Sequence, residues 1–432
     1  MIMIRTDSHG WEGKLSSLLD RMRATPPEVD KTVREIIRGV KDRGDAALFE
    51  YTRGYDGFDP EQKGLCITEA EIKKAVSRVP SETYAALETA AERIEAFHRN
   101  QKEQSWFITD ETGVILGQKV TAVGSAGIYI PGGRNAFPST LLMNVIPAKI
   151  AGVEQIVVVS PTPGGSLNET LLAAAHMTGV DRIYRIGGAQ AVAALAYGTK
   201  SIPKVDKVVG PGNIYVAHAK RLLQGIIGID AFAGPSEILV IADGGADPSV
   251  VACDLLSQAE HDELALSILV TPVEGLAKAV FGIIEKEIDT LPRKDTIRAS
   301  LGDHGACIVT RDLDEAIAIA NRVAPEHLEL MVEDAYEYLG KIRNAGAIFL
   351  GYMTPEAMGD YIAGPNHTLP TGSTARFYSP LGVYDFTKRS SVISLSKQAM
   401  DRLGPLAARI ARAEDLEAHA RSVECRLNKQ DS

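Results

Sequence analysis

Several acid, base and ligand pairs in this chain have spacings that could do chemistry. Glu326 and His327 stand side by side in APEHLEL, where a predicted helix gives way to a strand. Two proton acceptors with different ordinary pKa values suit the stepwise oxidation of an alcohol. The same pair also reads as a solvated junction. Gln258 and His261 are three apart in QAEH, so on a helix both face one side and could reach one ion. Glutamine is an unusual zinc partner, and QAEH equally reads as a polar helix end. Asp360 and His367 fall in GDYIAGPNH, whose glycines and proline can hold backbone in an unusual path near a ligand or simply make a turn. Glu414 and His419 are five apart, which on one continuous helix offsets them by about 140°; they need not face the same atom. His9, His98, His176, His218 and His304 lack a nearby carboxylate pattern or sit on helical faces, and are assigned to structure or surface.

Three glycine-rich turns could cradle a phosphate or ribose at a helix N-terminus: IYIPGG (128–133), RIGGAQA (185–191) and VVGPGNIYVA (208–217). The GxGxxG spacing of a standard dinucleotide fold is absent, and each turn alone also reads as a plain strand-to-helix connection.

These residues need elements to position them, and 432 residues call for two or more lobes. From Gly10 to Trp106, apolar residues recur every three or four positions, as in TVREIIRGV, predicting amphipathic helices. A block of alternating strand and helix follows, from AGIYI to KVDKVVG. A second runs from EILVIAD to AGAIFL. Past Gly351 the pattern fails over a Gly/Pro/Thr-rich segment, and helical character returns from Lys397. The expected fold is α/β, with two Rossmann-like lobes, an N-terminal helical region and a small helical C-terminal extension. The expected division puts 1–128 with 238–380, 129–237 in the second lobe, and 381–432 in the extension.

Apolar residues make up 45% and charged residues 24%, an ordinary globular balance. A net charge of −10 with no dense Lys/Arg run argues against nucleic acid. Cys66, Cys253, Cys307 and Cys425 are scattered without a CxxC pair, which argues against a thiolate zinc cluster or a disulfide framework and fits a reducing cytoplasm. No signal-like core or membrane-length apolar run is present, so a soluble, unprocessed protein is expected.

Taken in order, the phrases GIYIPGG, GGAQAVAALAYGT, VVGPGNIYVAHAK, FAGPSEILVIAD, DLLSQAEHD, APEHLEL, MGDYIAGPNHTLPT and SPLGVYDFTKRSSV resemble the histidinol dehydrogenase family. The resemblance runs from about Val120 to the C-terminus. It implies zinc ligands at Gln258, His261, Asp360 and His419, and accounts for the glutamine in QAEH. It implies substrate contacts at Ser236, His327, His367 and Glu414 as well as at those ligands, and NAD contacts at Tyr129, Gln190 and Asn213. An all-N/O ligand set would also accept Mn²⁺ or Co²⁺. The implied activity is the zinc-dependent, four-electron oxidation of L-histidinol through L-histidinal to L-histidine with two NAD⁺, the last step of histidine biosynthesis. His327 would take the alcohol proton and Glu326 would activate water. The resemblance also implies an intertwined homodimer whose C-terminal segment completes the partner's site. The alternatives are a paralogue that oxidises another small alcohol, such as a sulfonated diol, and a silent binding protein on the same scaffold.

Overall fold

The computed structural model describes residues 1–20, 26–132, 137–180, 182–231 and 234–427. Strands β1 (Ile2–Arg5), β2 (Trp106–Thr109) and β3 (Ile115–Ala122) precede the alternating region. There β4 (Ser125–Tyr129), β5 (Gln155–Val159), β6 (Arg182–Tyr184), β7 (Lys207–Val209) and β8 (Gly228–Ile229) are followed by β9 (Glu237–Ala242), β10 (Leu266–Thr271), β11 (Gly305–Val309), β12 (His327–Met331) and β13 (Ala347–Leu350), with β14 (Thr387–Ser394) last. Two parallel sheets result, ordered β6-β5-β4-β7-β8 and β1-β11-β10-β9-β12-β13, together with an antiparallel sheet ordered β14-β3-β2.

The strands of QIVVV and EILVIA are almost continuously apolar because helices cover both faces of a parallel sheet. Their alternation sorts side chains to opposite faces. Val157 and Val159 enter one core while Ile156 and Val158 enter the other. Across the second sheet, Ile238 and Val240 face one core and Leu239 and Ile241 the other.

The α/β architecture with two parallel-sheet lobes agrees with expectation; the allocation of segments differs in three places. Helices Pro27–Arg43 and Ser81–Arg99, expected with 238–380, pack on helices Gly188–Tyr197 and Pro138–Ala151 of the other sheet. Val33, Ile36 and Val40 join the core on the Val157 face there. An amphipathic stripe requires an apolar cover without specifying which sheet provides it. The expected boundary at 128/129 cuts β4, which starts at Ser125. Finally, the chain forms two compact units, 1–101 with 123–386 and 102–122 with 387–432, so the extension begins near Thr387 and includes the β2–β3 hairpin. The second unit holds the antiparallel sheet and helices Lys397–Ala413 and Glu417–Leu427, which pack on each other. No helix among the described residues is long and apolar enough to cross a membrane.

Candidate active site

Helix Leu313–Val323 stops at Ala324, whose φ of +52° ends the helical hydrogen bonding, and Pro325 keeps it from resuming. The chain then enters β12 through Glu326. A glycine is needed opposite: a Cβ on Gly346 would lie 2.6 Å from the Glu326 carbonyl oxygen. Along β12, period-two alternation puts His327, Glu329 and Met331 on one face, with Leu328 and Leu330 packed in the core opposite.

Both members of the acid and imidazole pair are buried. Glu326 Oε2 accepts from the Glu237 N–H at 2.9 Å, and His327 Nδ1–H donates to the Glu237 carbonyl at 3.0 Å. This fixes the imidazole tautomer and turns Nε2 toward the acidic residues, 3.6 Å from Asp360 Oδ1 and 3.9 Å from Glu356 Oε1. Nε2 is buried without a hydrogen-bond partner. Burial pushes the Glu326 carboxyl up to about 8. For His327, burial works against the charged form, but Glu326, Asp360 and Glu356 outweigh it and push the imidazole up to about 10.

Helix Pro248–Ala259 brings up Gln258, and the turn just beyond it carries His261. Gln258 is fully buried, yet neither its Oε1 nor its Nε2 has a partner. A buried primary amide with nothing to bond to is costly, and is the feature expected where a ligand supplies the missing interaction. Helix Glu356–Tyr361 brings Asp360 alongside, and ligand atoms of His261, Glu356 and Asp360 lie within 4.8 Å of one another. Asp360 is held low, at about 2: burial alone would raise it, but its contacts with His327, His367 and His261 prevail. Nitrogen and oxygen donors around a dominant carboxylate charge suit a divalent cation such as Zn²⁺.

Glu356 was not singled out from sequence. It is buried, its Oε2 accepts from Ser257 Oγ at 3.3 Å, and burial raises it to about 7. The available signal was its four-residue spacing from Asp360, one helical turn. Glu329, also missed, accepts the Glu356 N–H at 2.7 Å and so holds the first turn of that helix.

His367 bridges the two parallel-sheet lobes. Its Nδ1–H donates to the Asp360 carbonyl at 2.9 Å, and Nε2 accepts from Thr140 Oγ1 at 2.9 Å, on the helix that follows β4. Asn144 Nδ2 likewise donates to Thr368 Oγ1 at 3.0 Å. Ser236 is half-buried immediately before β9, beside Glu237.

Tyr129, the 185–191 turn and the 208–217 turn all lie at the carboxyl ends of strands in the five-stranded sheet, where open α/β sheets bind ligands. Tyr129 is buried, and its hydroxyl accepts from the Gly188 N–H at 3.0 Å. Gln190 is buried on the helix that follows. Asn213 is exposed and caps helix Ile214–Leu223, accepting from the Tyr215 and Val216 N–H groups. Gly133 of GIYIPGG and Phe232 and Ala233 of FAGPSE lie outside the described residues.

Glu414 and His419 belong to the second unit. The single-helix geometry expected for them is corrected: helix Lys397–Ala413 ends at Glu414, Asp415 takes φ +59°, and His419 lies on the next helix. A 140° offset therefore does not describe them. Among the histidines assigned to structure, His98 Nδ1 bonds the Ile94 carbonyl, and His218 Nε2 meets Asp30 Oδ1 at 2.8 Å, a carboxylate 188 positions away that local spacing could not reveal.

A family model described as histidinol dehydrogenase matches residues 19–427. The chain is similar to histidinol dehydrogenase of Syntrophotalea carbinolica, 53% identical over 427 residues that cover 99% of both chains. It is also similar to that of Geobacter metallireducens, 54% identical over 415 residues, covering 96% of this chain and 95% of the relative. Its fold matches the crystal structure of histidinol dehydrogenase from Elizabethkingia anophelis with a TM-score of 0.94, at 36% identity and covering 100% and 99% of the two chains.

Proposed function

The chain belongs to the histidinol dehydrogenase family of oxidoreductases, and from that premise we propose that it oxidises L-histidinol to L-histidine in two steps at one site, with a divalent metal, most simply Zn²⁺, and two NAD⁺. The observation that carries this proposal is the unpartnered, buried Nε2 of His327 beside the Asp360 cluster, which joins a proton acceptor to a ligand set.

Gln258, His261 and Asp360 would hold the metal, with Glu356 at the edge of the set; the family resemblance adds His419 of the partner subunit. When bound, the metal would supply a positive charge that offsets the carboxylates and a site for the substrate's nitrogens, and the dinucleotide would supply the hydride acceptor. A bound cation would offset Asp360 and Glu356, which otherwise keep His327 protonated, and the neutral Nε2 would then accept the hydroxyl proton as the alcohol becomes the aldehyde. Glu326, one residue away and anchored to the same residue, Glu237, takes in its ionised form a proton from the water that adds to the aldehyde. The proton that His327 took from the alcohol returns to the aldehyde oxygen as the neutral hydrate forms, and the imidazole, neutral again, removes a hydroxyl proton from the hydrate as the second hydride leaves and the carboxylic acid forms. Atoms balance with one water consumed and two hydrides lost. His367 orients the substrate from the junction of the lobes, and Ser236 and Glu414 complete its contacts. Tyr129, Gln190 and Asn213 form the dinucleotide end. The working protein is a homodimer in the cytoplasm, with Glu414 and His419 completing the partner's site; support for this comes from the family resemblance.

Purified, zinc-loaded protein given L-histidinol is expected to form about two NADH per histidine, to lose activity with EDTA and to recover it with zinc. Folded, metal-replete protein that leaves histidinol unchanged but turns over another small alcohol would overturn the proposal in favour of a paralogue.

A further inference from the structure

The Gly210–Asn213 loop, which presents the proposed dinucleotide contact Asn213, is pinned from beneath by a buried pair of opposite charges. Lys220 lies on helix Ile214–Leu223, two turns beyond Asn213, and Asp230 follows β8. Their side chains are 2% and 5% exposed and form an ion pair. Each also holds one side of the same glycine: Lys220 Nζ donates to the Gly210 carbonyl at 2.9 Å, and Asp230 Oδ2 accepts the Gly210 N–H at 2.7 Å. Gly210 has φ +109°, and a Cβ there would lie 2.1 Å from the Tyr129 carbonyl oxygen. The loop backbone is thus fixed against β4 on one side and tied by charge to its own helix and to β8 on the other. A cavity of about 210 Å³ is lined by Gly210 and Pro211 of this loop and by Asp230.

Taking two ions out of water offsets most of their mutual attraction, so a buried pair adds little to stability. Holding a loop in its binding shape, by contrast, lowers the ordering cost when a ligand arrives. Both charges bond the backbone of one loop at a carboxyl strand end of the parallel sheet, where nucleotide ligands sit. We propose that Lys220 and Asp230 are positioning residues for the dinucleotide, clamping Gly210–Asn213 in the conformation that receives it. This inference rests on the assignment of Asn213 to the NAD end of the site.

The test compares zinc-loaded parent with Lys220→Met, Asp230→Asn and the double variant, reading melting temperature, metal content, KM for histidinol and NADH affinity by fluorescence. Each single change leaves one buried group without its counterpart and is expected to lower the melting temperature; the double change removes both charges and recovers it. The double variant is expected to bind NADH about tenfold more weakly, with metal content and KM for histidinol within about twofold of the parent. A double variant that folds and binds NADH like the parent overturns the clamp. Should it fail to fold, Asp230→Asn, which keeps an oxygen for the Gly210 N–H, decides the matter: parental NADH affinity overturns the clamp, and a loss confined to NADH supports it. Asn213→Asp, which keeps a helix-capping oxygen but adds negative charge, separates the two levels. Weaker NADH binding there with an unaffected double variant removes the clamp alone. Parental binding in both removes the dinucleotide assignment as well.

Discussion

At the scale of residues, Gln258 carries the most specific prediction. Its amide is fully buried and unpartnered, so replacing it with leucine of similar bulk removes polar atoms that the fold itself does not satisfy. Gln258→Leu is expected to keep or raise the melting temperature of metal-free protein while weakening zinc binding by more than about 100-fold, measured by chelator competition. Unchanged zinc affinity would remove Gln258 from the ligand set. Glu326 gives a prediction whose sign depends on pH. Burial raises its carboxyl from 4.5 to about 8 in the folded protein. A group raised on folding supports the folded state below its unfolded pKa and loses that contribution as pH rises through the folded one. Metal-free Glu326→Gln should therefore match the parent near pH 4.5 and melt at a higher temperature above pH 8. Its kcat should fall by about 10²- to 10⁴-fold. Equal melting temperatures across that window would count against a buried, proton-retaining carboxyl.

The next scale is the short helix Glu356–Tyr361, which carries Glu356 and Asp360 and makes few internal hydrogen bonds of its own. Its first turn is held by Glu329, two residues beyond His327 on the same face of β12. Glu329→Gln keeps an acceptor for the Glu356 N–H and should retain metal affinity. Glu329→Ala releases the helix and should weaken zinc binding by about 10- to 100-fold. Similar affinities for the two variants would show that Asp360 is held by other contacts. The alternation of apolar and polar residues revealed β12, but not what each inward side chain meets. Glu329 looks like any polar strand residue until Glu356 is brought beside it from 27 positions away.

For the molecule as a whole, the proposed homodimer carries the prediction. If Glu414 and His419 complete the partner's site, two separately inactive variants should rescue each other. Mixing His419→Ala with Glu326→Gln, followed by dissociation and reassociation, leaves one intact site in each mixed dimer and should restore about a quarter of parental activity. No recovery after confirmed exchange of subunits would place each chain's own tail at its own site.

The sequence by itself determined the local and the chemical. Alternating runs marked the inner strands of both parallel sheets because each buried strand and each covering helix leaves its own period in the chain. The ordered motifs singled out Glu326, His327, Gln258, His261 and Asp360 as the set proposed for the site. Tertiary structure alone decided what depends on distant partners. The four-residue β1 is too short to show a period, and it becomes a strand by pairing with β11 some 300 positions on. Likewise, β14 pairs with β3 across more than 260 intervening positions. The N-terminal helices advertised an apolar stripe but not the sheet beneath it. Glu356 beside Asp360, and Lys220 against Asp230 under Gly210, follow from packing, because the worth of a buried charge is set by neighbours that folding supplies.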